Sequence, residues 1–270
     1  MKFNFGCRHN YLDRLKRIFN KIYPIVLLYQ WTKNIISLPK FKRDFNNFKY
    51  IASQKNERFS IKWSERYPCL NDATTSTGFD RHYVFHTAWA ARILAQTKPA
   101  EHADISSSLY FVSMISAFIK VNFYDYRPAD LQLSNLKSEH ADLTSLPFTN
   151  ESINSLSCMH VIEHIGLGRY GDPVDPDGDI KAITEIKRVL AQDADLLFVV
   201  PIGKPRIMFN AHRIYAYEQI MDYFKDFDLK EFALIPDNPE DGGLILNATK
   251  KMADEQSYGC GCFWFSKIVK

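Results

Sequence analysis

Between His82 and Ile268 the chain alternates helical apolar stripes with short continuous apolar runs. His82 to Thr97 (HYVFHTAWAARILAQT) places apolar residues three and four apart, the spacing of one helix face. Ala103-Asp-Ile105 reads as a short strand, Leu109 to Phe118 as a helix, and Val121-Asn-Phe-Tyr-Asp125 as a strand ending in an acid. Ile153 to Met159 predicts another strand. Asp179 to Leu190 (DIKAITEIKRVL) is an amphipathic helix. Asp195 to Pro201 (DLLFVVP) is near-continuously apolar, as for a strand covered on both faces. Tyr217 to Phe227 predicts a helix, and Leu229 to Ile235 and Cys262 to Ile268 predict late strands. Strands separated by helices imply an α/β fold with a doubly wound, mostly parallel sheet. Ligands of such sheets bind beyond the carboxyl ends of the strands, so the residues there carry the functional argument.

Residues 1–66 have a different character. They hold fifteen Lys/Arg and four Asp/Glu, against nineteen and twenty-seven in the remainder, although the whole chain is only +3. This predicts a basic, mostly helical arm before an acidic α/β domain spanning residues 67–270, with its core from about 100. The turn-rich segment 67–80 (YPCLNDATTSTGFD) is the junction. A basic arm suits an anionic partner, and the run Ile22 to Trp31 (IYPIVLLYQW) suits an interfacial segment on anionic lipid. That run is about half of what a membrane-spanning helix needs. Five cysteines without metal-type paired spacing, and no cleavable leader, fit a reducing compartment. The expected location is therefore the cytoplasm, with peripheral contact at the inner membrane face. No zinc-finger or RNA-binding signature appears, which argues against a nucleic-acid partner.

Asp104 reads as the end of the first strand of the domain, Asp125 ends the second, and Asp142 follows in Ala141-Asp-Leu-Thr-Ser-Leu-Pro-Phe148. Acids at such strand ends accept hydrogen bonds from ribose hydroxyls. The ordered run Asp142-Leu143, Leu146-Pro-Phe148, Glu163-His-Ile165, Glu185-Ile-Lys-Arg-Val-Leu190 and Leu196-Leu-Phe-Val-Val-Pro201 resembles the class I S-adenosylmethionine-dependent methyltransferases. The resemblance implies a Rossmann-like fold of that type and S-adenosylmethionine as cofactor. It places the ribose on Asp125, beside Tyr126, and the adenine between Asp142 and Leu143. It sets Asp104, Ser106 and Ser108 near the methionine moiety. Phe79-Asp-Arg-His-Tyr83, Phe123-Tyr-Asp-Tyr-Arg-Pro128 and Glu163-His-Ile-Gly-Leu-Gly-Arg-Tyr-Gly-Asp-Pro173 are similar to a domain-of-unknown-function family first described from Caenorhabditis proteins. One departure stands out: the first turn reads Asp104-Ile-Ser-Ser-Ser-Leu109, with Ser106 where glycine is usual.

The chemistry follows from the residues after the fourth strand. Methyl transfer to oxygen needs an acceptor in line with the sulfonium methyl, and a base. His160 and His164, with Glu163 between them, are the candidates for that catalysis. Arg169, Tyr170, Asp172, Arg206, His212 and Arg213 are candidate acceptor contacts; Lys204 joins Arg206 and Arg213 as a candidate for an anionic group. The leading reading is a methyltransferase acting on a small-molecule or glycan acceptor, with a sugar hydroxyl of a surface glycan as the expected substrate. A second is a degenerate methyltransferase-like scaffold at a membrane-associated glycan assembly. His160-Val-Ile-Glu-His164 also matches the H-x-x-E-H pattern of inverted zinc peptidases, which would need both histidines on one helix. Because Ile153 to Met159 reads as a strand, no metal site is expected there. Asp172-Pro-Val-Asp-Pro-Asp-Gly-Asp179 reads as a helix start, with Asp179 as its cap.

Overall fold

The computed structural model describes residues 35–55 and 58–268. The chain divides into two compact units, Met1–Gly78 and Phe79–Lys270. In the first, residues 35–53 form helix α1. Phe41 and Phe45, one turn apart, meet Trp63 with ring centroids 6.0 and 4.9 Å away. Arg66 stacks on the same indole at 4.5 Å. Ile36, Phe48 and Tyr50 remain exposed. The run Ile22 to Trp31 lies outside the described residues. Among the described residues no helix is long and apolar enough to cross a membrane.

The second unit is a seven-stranded sheet between two layers of helix. Its strands are β1 (Glu101–Ile105), β2 (Lys120–Asp125), β3 (Leu136–His140), β4 (Ile153–Met159), β5 (Leu190–Ile202), β8 (Phe227–Ile235) and β9 (Gly259–Lys267), in the order β3-β2-β1-β4-β5-β9-β8. The first five pair in parallel, and β9 inserts antiparallel between β5 and β8. This is the doubly wound, mostly parallel sheet expected from the sequence. A separate hairpin, β6 (Arg206–Met208) with β7 (His212–Ile214), follows β5.

One face buries α2 (Arg81–Thr97) and α3 (Leu109–Ile115) through Trp89, Ile93, Phe111 and Val112 on Val121, Phe123, Met159 and Cys262. The other buries α4 (Gly178–Val189), α5 (Tyr217–Tyr223) and α6 (Lys250–Asp254) through Ile183, Ile186, Ile220 and Ala253 on Leu156, Phe198 and Phe263. Strand order reverses between β1 and β4, which opens a crevice beyond their carboxyl ends. The segments entering it start at Ser106 and His160, and both residues have positive φ, 54° and 59°.

The Leu-Pro-Phe and Arg-Val-Leu segments are joined by polar contacts. Arg188 donates to the carbonyls of Leu146 (3.0 Å) and Phe148 (2.7 Å) and pairs with Glu185, which accepts from Leu146 N at 2.8 Å. This fixes the segment carrying Asp142 and Leu143 onto α4.

Candidate active site

Beneath the β1 turn lies a buried polar chain. His102 bonds Ser155 Oγ and Ser157 Oγ, both at 2.8 Å, and the Ser157 hydroxyl bonds the Asp104 carboxylate. Asp104 also accepts from Ser107 N at 3.0 Å. Burial raises the Asp104 pKa from 3.8 to about 6 and lowers that of His102 to about 3. Asp104 therefore braces the turn from behind and does not line the cavity. Ser106 does line it. Its N–H and hydroxyl both donate to the Tyr124 carbonyl, at 2.8 and 3.2 Å. The left-handed φ that glycine usually supplies is thus held here by a serine whose side chain turns back onto β2. Ser108 stands at the start of α3, makes no side-chain capping bond and does not line the cavity.

The cavity, about 340 Å³, runs from this turn along the ends of β2 and β4. Asp125, Tyr126, Asp142 and Leu143 line it, with Arg127 and Lys181. Asp125 accepts from Arg127 N at 2.7 Å, and Asp142 accepts from Thr144 N and Oγ1 at 2.8 and 2.7 Å. Each carboxylate is thereby oriented through Oδ1, which leaves Oδ2 for a ligand. Leu143 is buried and offers an apolar wall beside them. Two fixed acceptors and an apolar side chain are what a nucleoside requires, so these residues fit the nucleoside end of S-adenosylmethionine.

The loop after β4 forms the far wall. Gly166 (φ +78°) approaches α4 so closely that a Cβ would meet the Asp175 carbonyl at 2.1 Å. Asp172 accepts from Gly166 N at 2.8 Å and Tyr170 N at 3.1 Å, and so holds the loop in shape. Arg127 stacks over Tyr170 at 4.8 Å. Arg213 is buried and donates to the carbonyls of Ile165 (2.6 Å) and Pro176 (3.1 Å), beside Asp179 at 3.5 Å. Asp179 accepts from Tyr215 Oη at 2.9 Å. It lies inside the first turn of α4, while Asp177 holds the cap position, so Asp179 anchors the helix start without capping it.

A second cavity, about 460 Å³, adjoins through residues common to both: Tyr83, His160, His164 and Tyr170. Asp80, Arg81, His82, Glu163, Arg169, His212 and Tyr258 complete its polar lining. Its rings pack together: the His82 and His160 planes are near-parallel at 5.2 Å and 9°, and His212 is tilted against Tyr258 at 4.9 Å and 32°. Burial lowers the pKa of His82 to about 4 and also lowers those of His164 and His212. Burial alone would raise Glu163, but the neighbouring His160 and His164 together with its hydrogen bonds outweigh it and keep the carboxyl below its usual range. His160 Nδ1 bonds Glu163 at 2.7 Å. His164 Nδ1 donates to the Ala211 carbonyl at 2.6 Å, which fixes its tautomer and leaves Nε2 as an acceptor.

The structure thus brings together Asp125, Tyr126, Asp142, Leu143 and Ser106 at one cavity, and His160, Glu163, His164, Arg169, Tyr170 and His212 at the other. Asp172 lines the first. Arg206 and Arg213 line neither; Arg206 is exposed and donates to the carbonyls of Lys204 and Ser257. His160 directly follows β4 and Glu163-His164 lies in a single 3-10 turn, so the peptidase arrangement of two histidines on one helix is not formed. Sequence reasoning gave no role to His82, Tyr83 or Tyr258. The Phe79-Asp-Arg-His-Tyr83 motif was the only available signal for the first two, and Tyr258 had none.

Two family profiles match the chain. "C3H64 C-terminal domain" spans residues 7–162, and "Caenorhabditis protein of unknown function, DUF268" spans residues 119–241. No curated protein matches it. Among solved structures, the YcgJ protein of Bacillus subtilis is similar at 14% identity and TM-score 0.46, over 68% of this chain and 100% of its own. A S-adenosylmethionine-dependent methyltransferase of Methanosarcina mazei aligns at 13% identity and TM-score 0.44, over 66% and 98%. The 1,6-didemethyltoxoflavin-N1-methyltransferase of Burkholderia thailandensis, with bound S-adenosylhomocysteine, aligns at 10% identity and TM-score 0.45, over 68% and 79%. At these levels the likeness carries nothing about substrate.

Proposed function

We propose that this chain, which belongs to the C3H64 C-terminal domain family and matches the DUF268 profile over residues 119–241, is an S-adenosylmethionine-dependent methyltransferase of the class I fold acting on a sugar hydroxyl. Asp125 holds the ribose, and Asp142 with Leu143 holds the adenine. Bound there, the cofactor supplies an electrophilic methyl group on a sulfonium. The acceptor enters the histidine-lined cavity, where Tyr170 and Tyr258 contribute to the wall that a sugar ring would meet. His164 removes the hydroxyl proton through Nε2.

The carrying observation is that His164, neutral near pH 7 and with its tautomer fixed by Ala211, lines both cavities at once. A base must be within reach of both the acceptor and the methyl donor. The basic arm favours an acceptor presented on an anionic surface, such as a lipid-linked saccharide made at the inner membrane face. Radiolabelled methyl transfer from S-adenosylmethionine to a panel of nucleotide sugars and polyprenyl-linked saccharides tests this reading. Transfer should fall about 10²–10⁴-fold in His164→Gln while S-adenosylhomocysteine still binds. Equal transfer by wild type and variant would remove His164 from the chemistry.

A further inference from the structure

Beside the acceptor cavity three potential ligands converge from three elements. His82 lies in the first turn of α2, His160 directly follows β4, and Cys260 is the second residue of β9. One ring nitrogen from each histidine and the Cys260 sulfur lie within 4.8 Å of one another. His160 Nδ1 is bonded to Glu163, so the nitrogen left to a ligand is Nε2, which is buried and has no hydrogen-bond partner. A histidine whose Nδ1–H is held by a carboxylate and whose Nε2 lies bare is the arrangement that orients metal-ligating imidazoles. Leaving such a nitrogen unpartnered in the interior is unfavourable. Both nitrogens of fully buried His86, whose ring is 5.2 Å from His160, are also unpartnered. The bare His160 Nε2 therefore presents a lone pair beside His82 and the Cys260 sulfur, a convergence that suits a cation.

We propose that His82, His160 and Cys260 hold a zinc ion, with a fourth coordination position open to the histidine-lined cavity. Two imidazoles and a thiolate are a borderline-soft set that suits zinc, and three protein ligands with one open position is the arrangement of catalytic zinc. The ligand atoms must draw together by roughly 1 Å to reach ordinary zinc distances. Half-buried His82 is the side chain with room to do so. Binding the metal would displace the Cys260 thiol proton to solvent and leave a thiolate ligand. The open position would take an oxygen of the acceptor, a role separate from the His164 base, and the metal site does not depend on the methyltransferase reading.

The test uses the full chain, stripped with chelator and titrated with Co²⁺, then with Zn²⁺ in competition. One equivalent of cobalt should give tetrahedral visible bands and a thiolate-to-cobalt absorption, and zinc should abolish both. Cys260→Ser should lose the thiolate band, and His82→Asn should weaken binding at least 10-fold. Glu163→Gln should weaken it about 10–100-fold. Cys69→Ser, which removes an exposed thiol, should change nothing. Circular dichroism checks that the variants fold; if Cys260→Ser does not, His82→Asn decides. Cobalt bound without a thiolate band, binding unchanged by His82→Asn, or no stoichiometric binding would each overturn the proposal.

Discussion

The two cavities share a wall but are built in opposite ways. On the carboxylate side, Asp125 and Asp142 are each oriented by a backbone N–H two residues further on, so each is set by its own strand end. On the histidine side, His82, His160, Glu163, His164, His212 and Tyr258 come from four separate stretches of chain. They are held by long-range contacts, of which Arg213 is the most buried. Local geometry makes a site that tolerates change around it. Long-range geometry makes one that depends on its struts.

Arg213→Leu should therefore have the largest effect. It leaves Asp179 buried without its cation and removes donors from Ile165 and Pro176, at a cost of about 3–5 kcal/mol in urea unfolding. Asp142→Ala, in an exposed turn, should cost less than about 1 kcal/mol. Comparable losses would erase the contrast.

Asp104 comes next. Its pKa is raised in the fold, so its contribution to stability is fully present below about pH 3.8 and is lost as pH rises through about 6. Asparagine mimics the protonated form. Asp104→Asn should gain on wild type as pH rises from 5 to 8, by at most roughly 3 kcal/mol. Urea unfolding at several pH values reads this, and a gap that does not change with pH contradicts it.

Asp125→Ala should weaken S-adenosylhomocysteine binding by about 1.5–3 kcal/mol, the range for a hydrogen bond to a charged group. Thermal unfolding without ligand should be nearly unchanged. If the loss of binding came with an equal loss of stability, the carboxylate would be structural. The smallest effect belongs to Ser106→Gly. Relief of the left-handed φ is worth about 1–2 kcal/mol, and loss of the Tyr124 contact and added unfolded-state entropy offset most of it. Stability should stay within about 1 kcal/mol, and ligand affinity should rise slightly. A several-fold loss of affinity would mean that the serine hydroxyl contacts the cofactor.

The same contrast decides how much was legible in the sequence. Ile153 to Met159 has the bounds of β4, because an apolar run closed by turns is a local signal. Asp125 was readable as an acid at a strand end, and Asp142 through the Leu-Pro-Phe motif that follows it. β3 (Leu136–His140) was not, since as an edge strand it buries little more than Leu136. Nor was the β6–β7 hairpin, whose first strand is exposed throughout. Arg213 read as a candidate for an anionic acceptor because its burial depends on Asp179, thirty-four residues earlier. Asp179 read as a cap because its partner Tyr215 sits on a later segment. His82, Tyr83 and Tyr258 join the site only through the packing of α2 and β9, which no local pattern announces.

The central claim is that the cavity beyond β1, β2 and β4 binds the methyl-donor cofactor despite the serine in its first turn. Titration calorimetry of the full chain with S-adenosylhomocysteine tests it most directly. The account predicts saturable binding at one ligand per chain, weakened by Asp125→Ala. No heat of binding at millimolar ligand, from a chain that unfolds cooperatively, would contradict it.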